Sequence, residues 1–340
     1  MSLKENKLYL PIENMFREKD YFSISARKKI REEVAHSPFG VMVHGKVMKV
    51  DVVAFKWIDN WQLEANAVEC KLGKTWEGAG AALGQATAYQ RLFPRVYIAS
   101  EATETDLKHV DSLLRQLGIG YIFIEGDSAE EIFPPSQNIR FNQGEFERQV
   151  KIKAMALLAF KEIFGEENIQ FGMADKPNKI WVSDKGIRTC NIFMHLAHDN
   201  FEIGLNVEQK AAIQDVFSSL NIETLYSLVS KLPSEYDVVL KKFIGPKILG
   251  KTEETERMSV AKIAPQNVEN VVKSIQQLNW LVNLQIQKKR KIQIHPALSR
   301  QDFIREVGNA QDELSTLYNA FKGILGKRKT SSRKSSEFLN

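Results

Sequence analysis

One short stretch of the chain brings acidic and basic side chains to the ends of apolar, strand-like runs. Asp51 interrupts the apolar run 47–55, and Glu69-Cys70-Lys71 closes the next run. Residues two apart on a strand share a face, so Glu69 and Lys71 project together. An ionised aspartate inside an apolar strand is costly unless it has a partner, and a divalent cation or Lys71 would be such a partner.

Two carboxylates on neighbouring strands suit a hard divalent cation. Mg²⁺ typically takes one or two carboxylates together with phosphate oxygens and water, and Mn²⁺ is an alternative. A metal held by Asp51 and Glu69 would activate a water and stabilise charge on a scissile phosphate. Lys71 would add a positive charge beside the phosphate or the attacking water. These residues therefore predict metal-dependent hydrolysis of a phosphodiester.

The next predicted helix carries a second set of suitable residues. Gly78, Ala82, Gln85 and Tyr89 fall on one face of it, at spacings of four, three and four. Small residues let this face approach the sheet or a ligand, and Gln85 and Tyr89 add hydrogen-bonding groups one turn apart.

The order of Asp51, Glu69-Cys70-Lys71 and Gln85-Ala86-Thr87-Ala88-Tyr89 resembles the PD-(D/E)XK nuclease superfamily over residues 10–126. Gln85 and Tyr89 resemble the Q-xxx-Y helix motif of its RecB-like and archaeal Holliday-junction-resolvase-like branches. The resemblance implies a restriction-endonuclease-like mixed sheet core flanked by helices. It also implies that Asp51 and Glu69 bind metal and that Lys71 assists catalysis. Gln85 and Tyr89 would organise the site and contact nucleic acid.

The sequence departs from the family pattern at two places. Val50 stands where a proline often precedes the aspartate. The family often adds an acid from its first helix, and here Glu33 is the first candidate for a third metal ligand and Glu13 the second.

Together these features predict a Mg²⁺-dependent deoxyribonuclease, an endonuclease acting in defence or restriction, or in repair or recombination. A nucleic-acid-binding or assembly protein on a nuclease-like fold, without turnover, is the alternative, and an enzyme acting on RNA is a third reading. The intact Asp51, Glu69 and Lys71 favour catalysis, because a binding protein has no need of all three.

Strand and helix patterns predict an α/β domain over residues 1–135 and a second, α+β domain over 145–326. A Pro-rich boundary lies at 133–138. The first domain is expected to contain strands at 41–43, 47–55, 61–71, 95–100 and 121–126, and helices at 76–93 and 103–117. The second is expected to contain strands at 179–182, 189–193, 201–207, 236–244 and 257–263, and helices at 145–164, 268–286 and 300–324, with two more between 208 and 232.

Basic residues suggest where a nucleic acid would lie. Lys74 is close to Lys71 in sequence and is a candidate phosphate contact, as is the block Lys288, Lys289, Arg290 and Lys291. The second domain is therefore expected to bind DNA or to form a homodimer. The Ser/Lys/Arg-rich tail 327–340 is expected to be disordered.

Composition narrows the class of protein. The 340 residues are 43% hydrophobic, and 47 basic against 42 acidic residues give a net charge of +5. No apolar run is long enough to span a bilayer, and the first residues lack the apolar core of a signal peptide. We therefore expect a cytoplasmic protein without a membrane partner. Cys70 and Cys190 alone indicate neither a disulfide framework nor a zinc cluster.

Overall fold

The computed structural model describes residues 5–25, 39–43, 46–73, 76–108, 110–136, 138–171, 179–184, 187, 189–197, 200–243, 252–277, 282–291 and 299–337. The chain separates into two compact units. The first comprises residues 1–158 and 171–177, and the second comprises 159–170 and 178–340. The division falls within a helix and not at the Pro-rich segment 133–138.

A six-stranded mixed sheet forms the centre of the first unit. Its strand order is β1-β4-β5-β6-β7-β8. The neighbours β5, β6 and β7 run parallel, and the other pairs are antiparallel. Two further strands, β2 and β3, form a separate hairpin. The strands are β1 Phe22–Ser25, β2 Gly40–Val43, β3 Lys46–Lys49, β4 Val52–Trp57, β5 Leu63–Lys71, β6 Arg95–Ser100, β7 Gly120–Glu125 and β8 Ser128–Phe133.

Helices cover both faces of this sheet, which confirms the α/β class. The helices are α1 Tyr9–Glu18, α2 Trp76–Tyr89, α3 Glu104–Leu107, α4 Asp111–Gln116, α5 Gln143–Phe146 and α6 Ile152–Phe164, with a π-helical turn at Glu147–Lys151. On one face, α1 packs Ile12 and Phe16 against Val52, Val68 and Cys70. On the other face, α2 packs against β5 and β6.

Several predicted elements of this unit differ from the observed ones. The single strand predicted at 47–55 is two strands, β3 and β4, because β3 pairs with β2 whereas β4 pairs with β1 and β5. The helix predicted at 103–117 is divided into α3 and α4. Thr103 begins α3 with a capping box that it shares with Asp106. Helix α1 and the short strands β1 and β8 were not predicted.

The second unit contains a seven-stranded sheet with the order β14-β13-β15-β12-β11-β10-β9. In this order, all neighbouring strands between β14 and β10 pair antiparallel. Helices pack on one face, where Phe201 stacks on Phe303. The strands are β9 Ile169–Phe171, β10 Lys179–Val182, β11 Cys190–Leu196, β12 Asn200–Glu208, β13 Tyr236–Phe243, β14 Thr252–Ser259 and β15 Val282–Lys291. The helices are α7 Lys210–Ser219, α8 Ile222–Val229, α9 Pro265–Gln277 and α10 Arg300–Glu337.

Three predictions for this unit need correction. The helix predicted at 268–286 ends at Gln277, and Val282 begins strand β15, where Leu284 and Ile286 alternate with polar residues at the period of a strand. The strand predicted at 257–263 lies earlier, as β14. Helix α10 extends to Glu337, into the tail 327–340 that was expected to be disordered. Among the described residues, no helix has the length and apolar character needed to cross a membrane.

Candidate active site

Asp51 and Glu69 lie at the same end of two antiparallel strands. The ladder between β4 and β5 pairs Val52 with Val68. Asp51 immediately precedes β4 and Glu69 follows Val68, so both acids lie at the end of the strand pair where the ladder stops. Asp51 is 6% exposed and Glu69 is 1% exposed. Two buried carboxylates therefore share one end of the strand pair.

The Asp51 carboxylate is held from two directions. The hydroxyl of Tyr9, on α1, donates to Oδ1 at 3.0 Å, and the backbone N–H of Cys70 donates to Oδ2 at 2.8 Å. Burial, followed by the negative charge of Glu69, raises the pKa of Asp51 to about 7, although the Cys70 N–H, Lys71 and Tyr9 all act in the opposite direction. Low-dielectric surroundings and a like charge disfavour the ionised form, and a cation would relieve both.

The Glu69 carboxylate is also fixed at both oxygens. Lys71 places Nζ 2.8 Å from Oε1, and the Tyr89 hydroxyl lies 2.6 Å from Oε2. That hydroxyl is also 2.8 Å from the backbone oxygen of Lys49, so α2 is tied both to β5 and to the end of β3. Burial and the charge of Glu69 raise the pKa of Tyr89 well above its usual value, so this phenol stays a hydrogen-bond donor.

This donor set suits a hard divalent cation. Each oxygen of Asp51 and Glu69 faces one of the protein partners named above, and a carboxylate oxygen carries about two lone-pair sites. A carboxylate oxygen can therefore accept a hydrogen bond and ligate a metal at the same time. The described part of the chain gathers no group of three or more His, Cys, Asp or Glu side chains that could hold one. Two carboxylates nevertheless suffice for Mg²⁺ or Mn²⁺ when water and substrate oxygens complete the shell.

The structure thus brings Asp51, Glu69, Lys71 and Tyr89 together. Gln85 lies on α2 one turn before Tyr89 and is partly buried. Among the described residues, no hydrogen bond joins Gln85 to the two carboxylates. Glu33 and Lys74 lie outside the described residues.

The other first-helix candidate, Glu13, is buried on α1 and pairs with Arg17 at 3.2 Å. The residue that α1 does supply to the site is Tyr9, one turn earlier, which donates to Asp51. Tyr9 was not among the site residues predicted from the sequence. The helical spacing of Tyr9, Ile12 and Phe16 could have revealed α1, but not the carboxylate that Tyr9 meets.

The basic block at 288–291 is divided by the pleat of β15. Lys288 is 1% exposed and places Nζ 2.6 Å from Glu313, which also accepts from the Tyr236 hydroxyl. Arg290 is partly buried and pairs with acidic side chains at 2.7 and 3.3 Å. Lys288 is therefore not available to a phosphate. Lys289 and Lys291 point the other way and are exposed.

Comparisons with known proteins give no assignment. No protein-family model matches the chain, and no curated protein matches it. One solved structure, a protein of unknown function from Silicibacter pomeroyi, is 13% identical with a TM-score of 0.30; the match covers 49% of this chain and 96% of the other. Similarity of this size supports no inference about fold or function, so any assignment depends on the site itself.

Proposed function

We propose that the chain is a Mg²⁺-dependent DNA endonuclease whose first unit has a restriction-endonuclease-like fold. The observation that carries this proposal is the cluster of Asp51, Glu69 and Lys71 where β4 begins and β5 ends: Lys71 pairs with Glu69, and the charges of both act on Asp51. Tyr89 is bonded to Glu69 in the same cluster. Its mixed sheet with helices on both faces is compatible with that fold. The order of the residues along the chain is the order of the PD-(D/E)XK motif.

Each side chain has a definite task in this proposal. Asp51 and Glu69 hold the cation, which when bound supplies an activated water and neutralises charge on the phosphate. Tyr9 and the Cys70 N–H orient Asp51, and Tyr89 orients Glu69. Lys71, 23% exposed and 2.8 Å from Glu69, keeps its ammonium beside the carboxylate, where it can meet a phosphate oxygen or the attacking water.

A purely structural explanation of the cluster is less economical. Burying two carboxylates that repel each other costs stability, and the raised pKa of Asp51 reflects first its burial and then the charge of Glu69. Apolar residues of similar size would stabilise the same strand ends more effectively. A function that needs negative charge at this point explains why both acids are present.

The test is cleavage by purified variants in the presence of Mg²⁺ or Mn²⁺. The substrates are linear, circular, single-stranded and branched DNA, with RNA in parallel. Asp51→Asn and Lys71→Ala are expected to lose activity roughly 10²- to 10³-fold, the range seen when one electrostatic contributor is removed from an active site. Their circular dichroism spectra should remain those of the unchanged protein.

Exposed residues of the same types in the same unit provide matched controls. Asp127→Asn and Lys108→Ala alter exposed side chains and should leave cleavage unchanged. Full cleavage by Asp51→Asn would sink the proposal. DNA binding that ignores Mg²⁺, with no products from any substrate, would instead identify a binding or assembly protein, and cleavage of RNA alone would identify a ribonuclease.

A further inference from the structure

The second unit has a polar sheet face that the proposed nuclease chemistry does not use. On β15, Leu284 and Ile286 line the apolar space that Phe321 of α10 also lines. Side chains alternate along a strand, so Gln285 and Gln287 lie on the opposite face, away from the helices. Both glutamines are nevertheless buried, at 6% and 1% exposed.

Five carboxamides cluster on this face, across three neighbouring strands. Asn191 pairs in register with Asn206, and Asn206 with Gln285. Within the part of the chain that the structure describes, each of the five has at least one buried polar atom without a hydrogen-bond partner. Such atoms cost free energy when nothing satisfies them, so each calls for an explanation. The five are Asn191, Asn206, Asn283, Gln285 and Gln287.

An ion pair shows that this face is concave. Lys179 on β10 pairs in register with His195 on β11, and His195 pairs with Glu202 on β12. The Nζ atom of Lys179 nevertheless lies 3.5 Å from Glu208. Glu202 and Glu208 are six residues apart on β12, which is roughly 20 Å on a flat sheet and farther than the two side chains reach together. Lys179 and Glu208 therefore lie diagonally across the sheet from each other, and the sheet must curl to bring their side chains together.

A second ion pair repeats the same geometry on the neighbouring strands. Lys241 on β13 pairs in register with Asn283 on β15, and Asn283 pairs with Glu208 on β12. The Nζ atom of Lys241 nevertheless lies 3.5 Å from Glu202. The two ion pairs cross the face in the same diagonal direction, and the carboxamides lie between the two pairs. The curl therefore contributes to the burial of the amides.

Gly204, at the centre of β12, is where the sheet can bend this sharply. A Cβ at this position would overlap the carbonyl oxygen of Ile286 and lie 2.7 Å from Cα of Gln287. Glycine inside a strand commonly marks such a tight bend or a close backbone approach.

The chemistry of this face selects an uncharged, planar ligand. The carboxamides carry no net charge, and Lys179 and Lys241 at the rim are paired with glutamates. Lys289 and Lys291 share this face of β15 but lie beyond the amides, toward the end of the strand. A carboxamide offers a donor and an acceptor side by side, which matches the edge of a nucleobase. Trp181 is partly buried beside the amides and offers a ring for stacking, whereas its register partner Phe193 is buried beneath the same face. Lys179 Nζ lies 5.6 Å from the ring centre of Trp181.

We propose that the concave face of the second sheet binds a nucleobase from a nucleoside or an unpaired nucleotide. The two ion pairs are long and partly exposed, so they are weak closures that can separate to admit the base. This site lies wholly within the second unit and does not depend on cleavage by the first.

The test measures binding of the four deoxynucleosides to the full chain without metal, by calorimetry and by quenching of tryptophan fluorescence. Saturable binding of at least one nucleoside is expected. Asn206→Leu and Gln285→Leu should each weaken it at least tenfold, whereas Gln214→Leu, on an exposed position of α7, should not. Because Gln285→Leu removes an unsatisfied buried amide, it should also raise the melting temperature by a few degrees.

Each contrary outcome is specific. No nucleoside binding at millimolar concentration would mean that the amides hold only buried water, and would overturn the proposal. Undiminished nucleoside binding by both leucine variants would overturn the location of the site. Because no cleavage is measured, failure of the nuclease proposal leaves these results intact.

Discussion

At the scale of single residues, the site is governed by the cost of placing Asp51 and Glu69 together. Alternation along the strands was enough to predict that Glu69 and Lys71 share a face, and the 2.8 Å ion pair agrees with that prediction. The partners of Asp51 were not predictable. Tyr9 is 42 residues away in sequence, and its contact depends on how α1 docks against the sheet. The Cys70 N–H became a partner because β5 continues beyond the last residue pair of the ladder.

Tyr9→Phe tests the role of that first partner. The Tyr9 hydroxyl lowers the pKa of Asp51, so its removal should leave more of this carboxyl protonated near neutral pH. A cation must displace that proton in order to bind. We therefore expect the Mg²⁺ concentration for half-maximal cleavage to rise about tenfold, since a hydrogen bond to a charged group contributes about 1.5–3 kcal/mol.

The measurement is a Mg²⁺ titration of the cleavage rate at saturating DNA. Tyr226→Phe, in α8 of the second unit, changes the same chemical group away from the site and should leave the titration curve unchanged. An unaltered Mg²⁺ requirement in Tyr9→Phe would show that the Cys70 N–H alone suffices to hold Asp51.

At the scale of elements, sequence pattern was most reliable where one signal dominated. The apolar run of β6 was predicted with its observed bounds, and the helix predicted at 76–93 was observed as α2. Errors arose where two signals overlapped. Residues 268–286 contain enough helix-forming residues to conceal the change from a period of 3.6 to a period of 2 between α9 and β15. The strand predicted at 47–55 was two strands because β3 and β4 pair with different partners, and the local sequence does not indicate which strands pair.

Gly204→Ala tests whether the bend of the second sheet depends on a missing side chain. The new methyl group would meet backbone atoms of β15, which cannot move without breaking the ladder. We expect a loss of about 3 kcal/mol or more in the free energy of unfolding, in the range of strong overpacking. Urea denaturation followed by circular dichroism measures this loss.

Gly84→Ala is the matched control for that substitution. Gly84 lies on α2, is exposed, and has open space where a Cβ would stand. Alanine is favoured over glycine inside a helix by roughly 0.5–1 kcal/mol, so this variant should be slightly more stable. Equal stability changes in the two variants would contradict the bend assigned to Gly204.

At the scale of the whole molecule, some of the charged side chains are buried in ion pairs and others are exposed on the surface. The net charge of +5 is modest, and Lys288, in the block that seemed most basic in sequence, is buried and paired with Glu313. Sequence could not separate Lys288 from Lys289, because the two differ only in which face of β15 they occupy. If the second unit grips DNA, its exposed lysines must supply the contacts.

The double variant Lys289→Ala/Lys291→Ala should therefore weaken DNA binding about equally for all sequences. The slope of log affinity against log salt concentration is negative, and each contact on duplex DNA contributes about −0.9 to it. Removing two phosphate contacts should therefore make the slope less steep by about 2. Both side chains are exposed, so the melting temperature should not change. Fluorescence anisotropy of labelled duplexes over a salt series, without metal, measures affinity and slope together.

Two further variants separate this effect from a general loss of charge and from unfolding. Lys231→Ala/Lys262→Ala removes two exposed lysines elsewhere in the same unit and should leave the slope unchanged. Lys288→Met should instead destabilise the fold by about 3 kcal/mol, because it leaves Glu313 without its cation. An unaltered salt slope in Lys289→Ala/Lys291→Ala would place the DNA contacts away from β15. Under that result, β15 would contribute to recognition only through the concave amide face between its ends.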